Sequence, residues 1–258
     1  MPIRWERNAS VGVAVIDRPE RRNALSAELC DGLRDHVEQN GDLRAVVIGA
    51  SGDKAFCAGA DLGRRATDVG GLEHGGGDSF RPAFESLLNA IVASPAPVLA
   101  AVNGAALGAG MQLAVACDLR VVAPHATFGI PAARLGVLLS GANIARLATL
   151  VGQAAARDLL LTARVLDLED ATRIGLVQRV ADDTLMAARG LADDIAALAP
   201  LTIAGHKRAL NLVAEAQTIS LDMQAEVKKL ETDAFASTDL QEGLAAFAEK
   251  RRPRFEGR

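Results

Sequence analysis

Val98-Leu99-Ala100-Ala101-Val102-Asn103-Gly104-Ala105-Ala106-Leu107-Gly108-Ala109-Gly110-Met111-Gln112 is the run whose reading decides the fold. Five apolar residues with valine at both ends, stopped by Asn103-Gly104, read as a short buried strand. Small residues follow, and small residues let a backbone approach a ligand while leaving N–H groups unshielded, as an anionic oxygen requires. The same order occurs upstream, where the strand-like Arg44-Ala45-Val46-Val47-Ile48 precedes Ala55-Phe56-Cys57-Ala58-Gly59-Ala60-Asp61-Leu62. Val11 to Ile16 and Leu119 to Val122 are further β-branched runs, so the first half predicts buried strands of an α/β core. Between them, Ser26 to Asn40 reads as an amphipathic helix, with Ser26 as cap and Leu29, Leu33 and Val37 as its apolar stripe.

The C-terminal part changes period. Helices are predicted over Gln153 to Thr162, Asp182 to Leu198, Pro200 to Ala214 and Leu221 to Ala234. A last helix is introduced by a capping box at Thr238 and Gln241. This divides the chain into a core over residues 1–195 and a helical subdomain over 196–258, with no evident linker between them. Arg64 to Phe80, with Gly70-Gly71 and Gly75-Gly76-Gly77, has no packing stripe and reads as a mobile surface loop of the kind that covers sites.

Composition narrows the function classes. The 258 residues carry 28 Lys+Arg against 32 Asp+Glu, a formal net charge of -4, which argues against a nucleic-acid partner because such affinity rests on surplus cations. Three cysteines without a CxxC pair read as reduced thiols in a cytoplasmic protein. The 32 residues from Ser86 to Cys117 hold no formal charge, yet Pro95, Pro97, Asn103 and Gly104 split them, so no transmembrane segment is expected. Carboxylates are also unevenly spread. Asp118 is the only one among the 72 residues from Ser86 to Arg157, where even spacing would give about nine.

Together with Arg18-Pro19-Glu20-Arg21-Arg22-Asn23-Ala24-Leu25 and Phe247-Ala248-Glu249-Lys250-Arg251-Arg252-Pro253-Arg254-Phe255, the two small-residue turns make four motifs in one order. In these the chain resembles the crotonase superfamily, specifically its enoyl-CoA hydratase/isomerase family, over nearly its whole length. The resemblance implies an α/β crotonase (ClpP/crotonase-like) β-β-α spiral core with a C-terminal helical trimerisation region. It also implies a homotrimer or hexamer, no permanently bound cofactor or metal, and a coenzyme A thioester as substrate or ligand. Motif matching puts the two backbone N–H groups of the oxyanion hole on Ala60 and Ala109. It sets Ala24, Ala58, Ala60, Asp61, Leu62 and Gly63 along the CoA, with Lys250, beside Phe247, reaching it across a subunit interface.

The match breaks where a hydratase of this family has its two general acid/base glutamates, at Gln112 and Ala132 here. An amide does not exchange protons near neutral pH, and an alanine has nothing to exchange. Leu139 to Asn143, where some family members carry a catalytic Asp, offers only the non-ionising Ser140 and Asn143. Asp61 and Asp118 read as structural, and Asp68, Glu73, His74 and Asp78 as ordinary loop charges. The expectation is an acyl-CoA-binding protein of fatty-acid metabolism that hydrates little and hands acyl-CoA to lipid-synthesis partners. The competing expectation is a working hydratase that borrows a carboxylate from the 64–80 loop.

Overall fold

The computed structural model describes residues 2–38, 42–61, 79–215 and 221–256. The chain begins with an antiparallel pair, β1 (Ile3–Asn8) and β2 (Val11–Ile16), followed by a 3-10 turn at Pro19–Arg21 and helix α1 (Ala27–Glu38). A repeating unit of strand, strand, helix then sets in: β3 (Ala45–Ala50), β4 (Ala55–Cys57) and α2 (Phe80–Ala93); β5 (Val98–Val102), β6 (Ala105–Leu107) and α3 (Ala109–Ala116). β7 (Leu119–Val122) and β8 (Phe128–Gly129) open the next unit, which continues through a 3-10 turn at Pro131–Leu135 into α4 (Gly141–Thr162). β9 (Val165–Leu166), α5 (Leu168–Arg173), β10 (Arg179–Val180) and α6 (Thr184–Ala196) complete the core. The last three helices are α7 (Pro200–Glu215), α8 (Leu221–Phe235) and α9 (Thr238–Ala248).

In each unit the first strand joins one sheet and the second joins another. The larger sheet has the order β1-β2-β3-β5-β7-β10 and the smaller β4-β6-β8-β9. Each turn of the chain therefore advances both sheets by one strand, which produces a spiral of parallel pairs such as Val13 beside Val47 and Val47 beside Leu99. The inner strands β2, β3 and β5 of the large sheet are apolar at consecutive residues because both faces are covered. On one face Val13, Val15, Val47, Leu99 and Val121 meet Ala188 and Ala192 of α6. On the other, Ile16, Ile48, Val98, Ala100 and Val102 face the main core beneath α1, α2 and α3.

Four boundaries differ from those predicted. Phe80 belongs to a helix instead of the loop, because Phe84, Leu87, Leu88 and Ile91 supply a stripe that draws the whole segment onto the core; the rest of that predicted loop up to residue 78 lies outside the described residues. The helix predicted from Gln153 starts twelve residues earlier, at Gly141, and breaks direction at Gly152 (φ 79°). Helix α6 starts at Thr184 under an Asp183 cap. Helix α9 takes Ser237 as its cap instead of the predicted Thr238, the Ser237 hydroxyl accepting from the Leu240 N–H at 3.2 Å.

Candidate functional site

Asn23 organises the first motif. It is 1% exposed, adopts φ 55°, accepts from Arg18 N–H, and donates from Nδ2 to Ser51 O (3.0 Å) and Ala55 O (2.7 Å). The motif is thereby fastened to the β3–β4 connection and the start of β4, and backbone bonds extend the attachment past β4. Ala58 N–H donates to Arg22 O, Leu25 N–H to Gly59 O, and Asp61 N–H to Leu25 O. In an extended strand successive N–H groups point to opposite sides. With the Asp61 N–H directed at Leu25, the Ala60 N–H points away from it, and it has no acceptor among the described residues.

Asp61 anchors this geometry from the side. Its carboxylate accepts from Arg18 (2.9 Å) and Arg21 (3.1 Å), while Arg18 also donates to Ala24 O. Burial pushes the carboxyl pKa up, but the bonds and charges of the two arginines outweigh it and hold it below its ordinary value. The structural reading of Asp61 is consistent with these partners, because every contact secures the turn. Asp118 has an equivalent task elsewhere. It accepts from Val98 N–H (2.7 Å) and from the buried Lys207 (2.8 Å), fastening α7 to the start of β5.

The second turn is held against the first by glycines that have no alternative. Gly108 (φ 55°, ψ −115°) ends β6 and starts α3, and its N–H is used on Gly129 O at 2.8 Å. Gly110, in the first turn of α3, lies against β4 so closely that a Cβ there would fall 2.1 Å from Cys57 O. A Cβ on Gly59 would lie 4.0 Å from the nitrogen of Ala109. The Ala109 N–H, the first of helix α3, has no acceptor among the described residues, and the methyl of Ala109 is accommodated at 7% exposure. Two donors without an acceptor among the described residues therefore come from turns that touch at Gly59 and Gly108, one of them at the positive end of a helix. Arg120, buried at the far end of α3, donates to Cys117 O and Ala114 O and so satisfies that helix's last carbonyls.

Gln112 and Ala132 bring no ionisable group. The Gln112 Nε2 turns back to Gly108 O at 3.3 Å, and Ala132 is half-buried in the 3-10 turn, its carbonyl accepting from Val137 N–H. Helix α9 packs on that turn, and a Cβ at Gly243 would fall 2.6 Å from Leu135 backbone. Beside the two donor turns, Arg22, Lys54 and His125, with Asp53, Ala58 and Leu107, line a groove of about 570 Å³. The three cationic or basic side chains were not singled out as site residues from sequence, because they come from three separate segments. Lys250, in the left-handed conformation (φ 54°) just past α9, does not line that groove within one chain, and Leu62 and Gly63 lie outside the described residues.

A family profile described as enoyl-CoA hydratase/isomerase matches residues 6–258. The chain belongs to this family. The probable enoyl-CoA hydratase echA6 of Mycobacterium tuberculosis is 42% identical over 248 residues, covering 94% of each chain. Among solved structures, a methylmalonyl-CoA decarboxylase superposes with a TM-score of 0.88 at 25% identity, over 100% of this chain and 99% of that one. A carnitinyl-CoA hydratase from Mycobacterium avium gives 0.84 at 33% identity, again over 100% and 99%. The strand-strand-helix spiral is thus the crotonase fold, and enzymes of the enoyl-CoA hydratase/isomerase family act on coenzyme A thioesters. Among the described residues there is no group of metal-ligating side chains and no helix long and apolar enough to cross a membrane.

Proposed function

We propose that this protein binds acyl-CoA with the thioester carbonyl oxygen between the N–H groups of Ala60 and Ala109, and that it hydrates enoyl-CoA poorly. The observation that carries the reading is the pair of unengaged donors on two turns locked together by Gly59, Gly108 and Gly110. Such donors stabilise negative charge on oxygen without having to reorganise. The groove with Arg22, Lys54 and His125, which Ala58 also lines, suits the phosphates of the nucleotide end, and Ala24, Ala60 and Asp61 border the ligand between the two ends.

Gln112 and Ala132 are the positions of the lost glutamates, and neither can exchange a proton. If each general acid or base contributes about 10² to 10⁴-fold, hydration falls by at least about 10⁴ when both are missing. The protein then holds or hands on acyl-CoA within fatty-acid metabolism in the cytoplasm, with lipid-synthesis enzymes as partners. Leu201 (88% exposed), Leu210, Leu230 and Phe247 are apolar and uncovered on the C-terminal helices, which supports assembly through the 196–258 subdomain into a trimer or hexamer. Lys250 and Phe247 then reach the ligand of a neighbouring copy.

The test pairs binding with turnover. Calorimetry with a saturated acyl-CoA should show binding, while hydration of a short 2-enoyl-CoA should be near the uncatalysed rate. Gln112→Glu combined with Ala132→Glu should raise hydration by about 10²-fold or more. Wild-type hydration comparable to that of family hydratases would overturn the proposal.

A further inference from the structure

Glu85 on α2, which borders the acid-poor window on its N-terminal side, is held in an arrangement that its sequence neighbourhood does not suggest. Its Oε1 accepts from Ser140 Oγ at 2.7 Å and from Asn143 Nδ2 at 2.9 Å. Ser140 caps α4 and can spend its one proton on Glu85 because its own lone pair receives the Asn143 N–H. Asn143 is held in turn, its Oδ1 accepting from Arg146, which also donates to Asn89. The amide of Asn143 can therefore offer only its NH₂ side to Glu85. Oε1 is fully engaged, whereas Oε2 has no donor among the described residues.

Glu85 lines a cleft of about 570 Å³ whose walls include Pro82, Gly141, Ala142, Ala145 and Val227. A second carboxylate there, Glu231, is neutralised by ion pairs to Arg81 and Lys228, whereas Glu85 makes no ion pair among the described residues. Helix α2 packs against α3, whose first residue is Ala109, and α4 packs against both α3 and the turn that holds Ala132. Two of the three helices that wall the cleft, α2 and α4, thus pack on the helix that begins at Ala109, and α8 closes the third side.

We infer that Glu85, oriented through Oε1 by Ser140 and Asn143, is the proton-transferring catalytic residue of this protein, acting on the carbon next to the thioester carbonyl. The inference rests on the acyl-CoA reading above. Glu85 Oε2 takes a proton from Cα, and the C–H electron pair moves into the C–O unit to give an enolate whose oxygen lies between the Ala60 and Ala109 N–H groups. With a 3-enoyl thioester Glu85, now protonated and open to exchange with solvent, delivers a proton to Cγ, the Cβ=Cγ bond breaks, a Cα=Cβ bond forms and the thioester carbonyl is restored. One carboxylate suffices, because it is the base that forms the enolate and then the acid that protonates it. Water addition, by contrast, needs groups that position and deprotonate water, and these are what Gln112 and Ala132 do not supply.

The experiment follows deuterium uptake at Cα of butanoyl-CoA and 3-hexenoyl-CoA in D₂O by mass spectrometry, alongside calorimetric binding of the same thioesters. Wild type should exchange, and Glu85→Gln should lower the exchange rate by about 10²-fold or more. Its binding constant should stay within about threefold, since the glutamine carbonyl can still accept from Ser140 and Asn143. A purely structural Glu85 would leave exchange unchanged in that variant, because the helix contacts survive. Asn143→Ala, which lets the carboxylate swing, should slow exchange by about tenfold with unchanged binding. Wild type that binds but takes up no deuterium, or Glu85→Gln that exchanges at the wild-type rate, overturns the role of Glu85 alone. Wild type that binds no thioester overturns the reading on which it rests.

Discussion

Gly110→Ala adds one methyl group at the point where the two donor turns are locked together. The new Cβ would lie 2.1 Å from Cys57 O and 2.7 Å from Cys57 Cβ, whereas ordinary contacts begin at 3.4 Å. Relief of the first contact requires a retreat of about 1.3 Å between α3 and β4. Neither side yields readily, because the obstructing atom is backbone within a buried strand and α3 is buried almost all round by Met111, Leu113 and Ala114. Overpacking of this kind costs about 1–3 kcal/mol. For a chain of this size each kcal/mol lowers Tm by about 2–4 °C, so differential scanning calorimetry should show a drop of about 2–12 °C. The functional effect should exceed the stability effect. The Ala109 N–H moves with α3 relative to the Ala60 N–H, and a displacement of about 1 Å in a positioned group can cost about 10²-fold. Acyl-CoA binding should therefore weaken by at least about tenfold at temperatures where the variant is fully folded. A Gly110→Ala protein with wild-type Tm and wild-type acyl-CoA affinity would refute the reasoning that this contact sets the spacing of the donors.

Lys207→Met should destabilise by about 3 kcal/mol, at the lower end of the usual loss for half of a buried ion pair, because it strips Asp118 and the carbonyls of Ile91 and Ala96 of their donor while Asp118 retains 28% exposure. Adding Asp118→Asn to it should recover part of that loss in urea unfolding, and a double variant no more stable than the single one would count against the pair. Asp61 has a folded pKa below its ordinary value of 3.8, so its contribution is fully present above that value and is lost as pH falls through the lower folded value. Thermal unfolding followed below pH 4 should accordingly fall less steeply in Asp61→Asn than in wild type; parallel slopes would contradict the assignment. Burial pushes the thiols of Cys57 and Cys117 up to about 12, and that of Cys30 upward as well. An aromatic disulfide reagent at pH 8 should leave the folded chain unmodified and titrate three thiols after unfolding.

The sequence was most legible where local pattern and burial coincide. Val11 to Ile16, Val98 to Val102 and Leu119 to Val122 form strands at the predicted residues, since short apolar β-branched runs lie between two covered faces. The α1 stripe of Leu29, Leu33 and Val37 is buried as its spacing implies. Boundaries were less legible where one side chain competes with its neighbour, as when Ser237 takes the cap of α9 from Thr238. The start of α4 at Gly141 was hidden for a similar reason. Gly141 and Asn143 there are poor helix formers, and what fixes the turn is the Ser140 hydroxyl, which binds both the Asn143 N–H and a carboxylate 55 residues away.

By itself the sequence determined the family and the absence of ionisable groups at Gln112 and Ala132, because motifs and missing side chains are local properties of the chain. Only the tertiary structure decided that the turns at Gly59 and Gly108 touch, that Arg22, Lys54 and His125 share one groove, and that Glu85 meets Ser140 and Asn143. The physical reason is the spiral itself. Each turn returns the chain to the same two sheets after some twenty to fifty residues, so groups that are remote in sequence are stacked by strand pairing and helix packing, which no local pattern records.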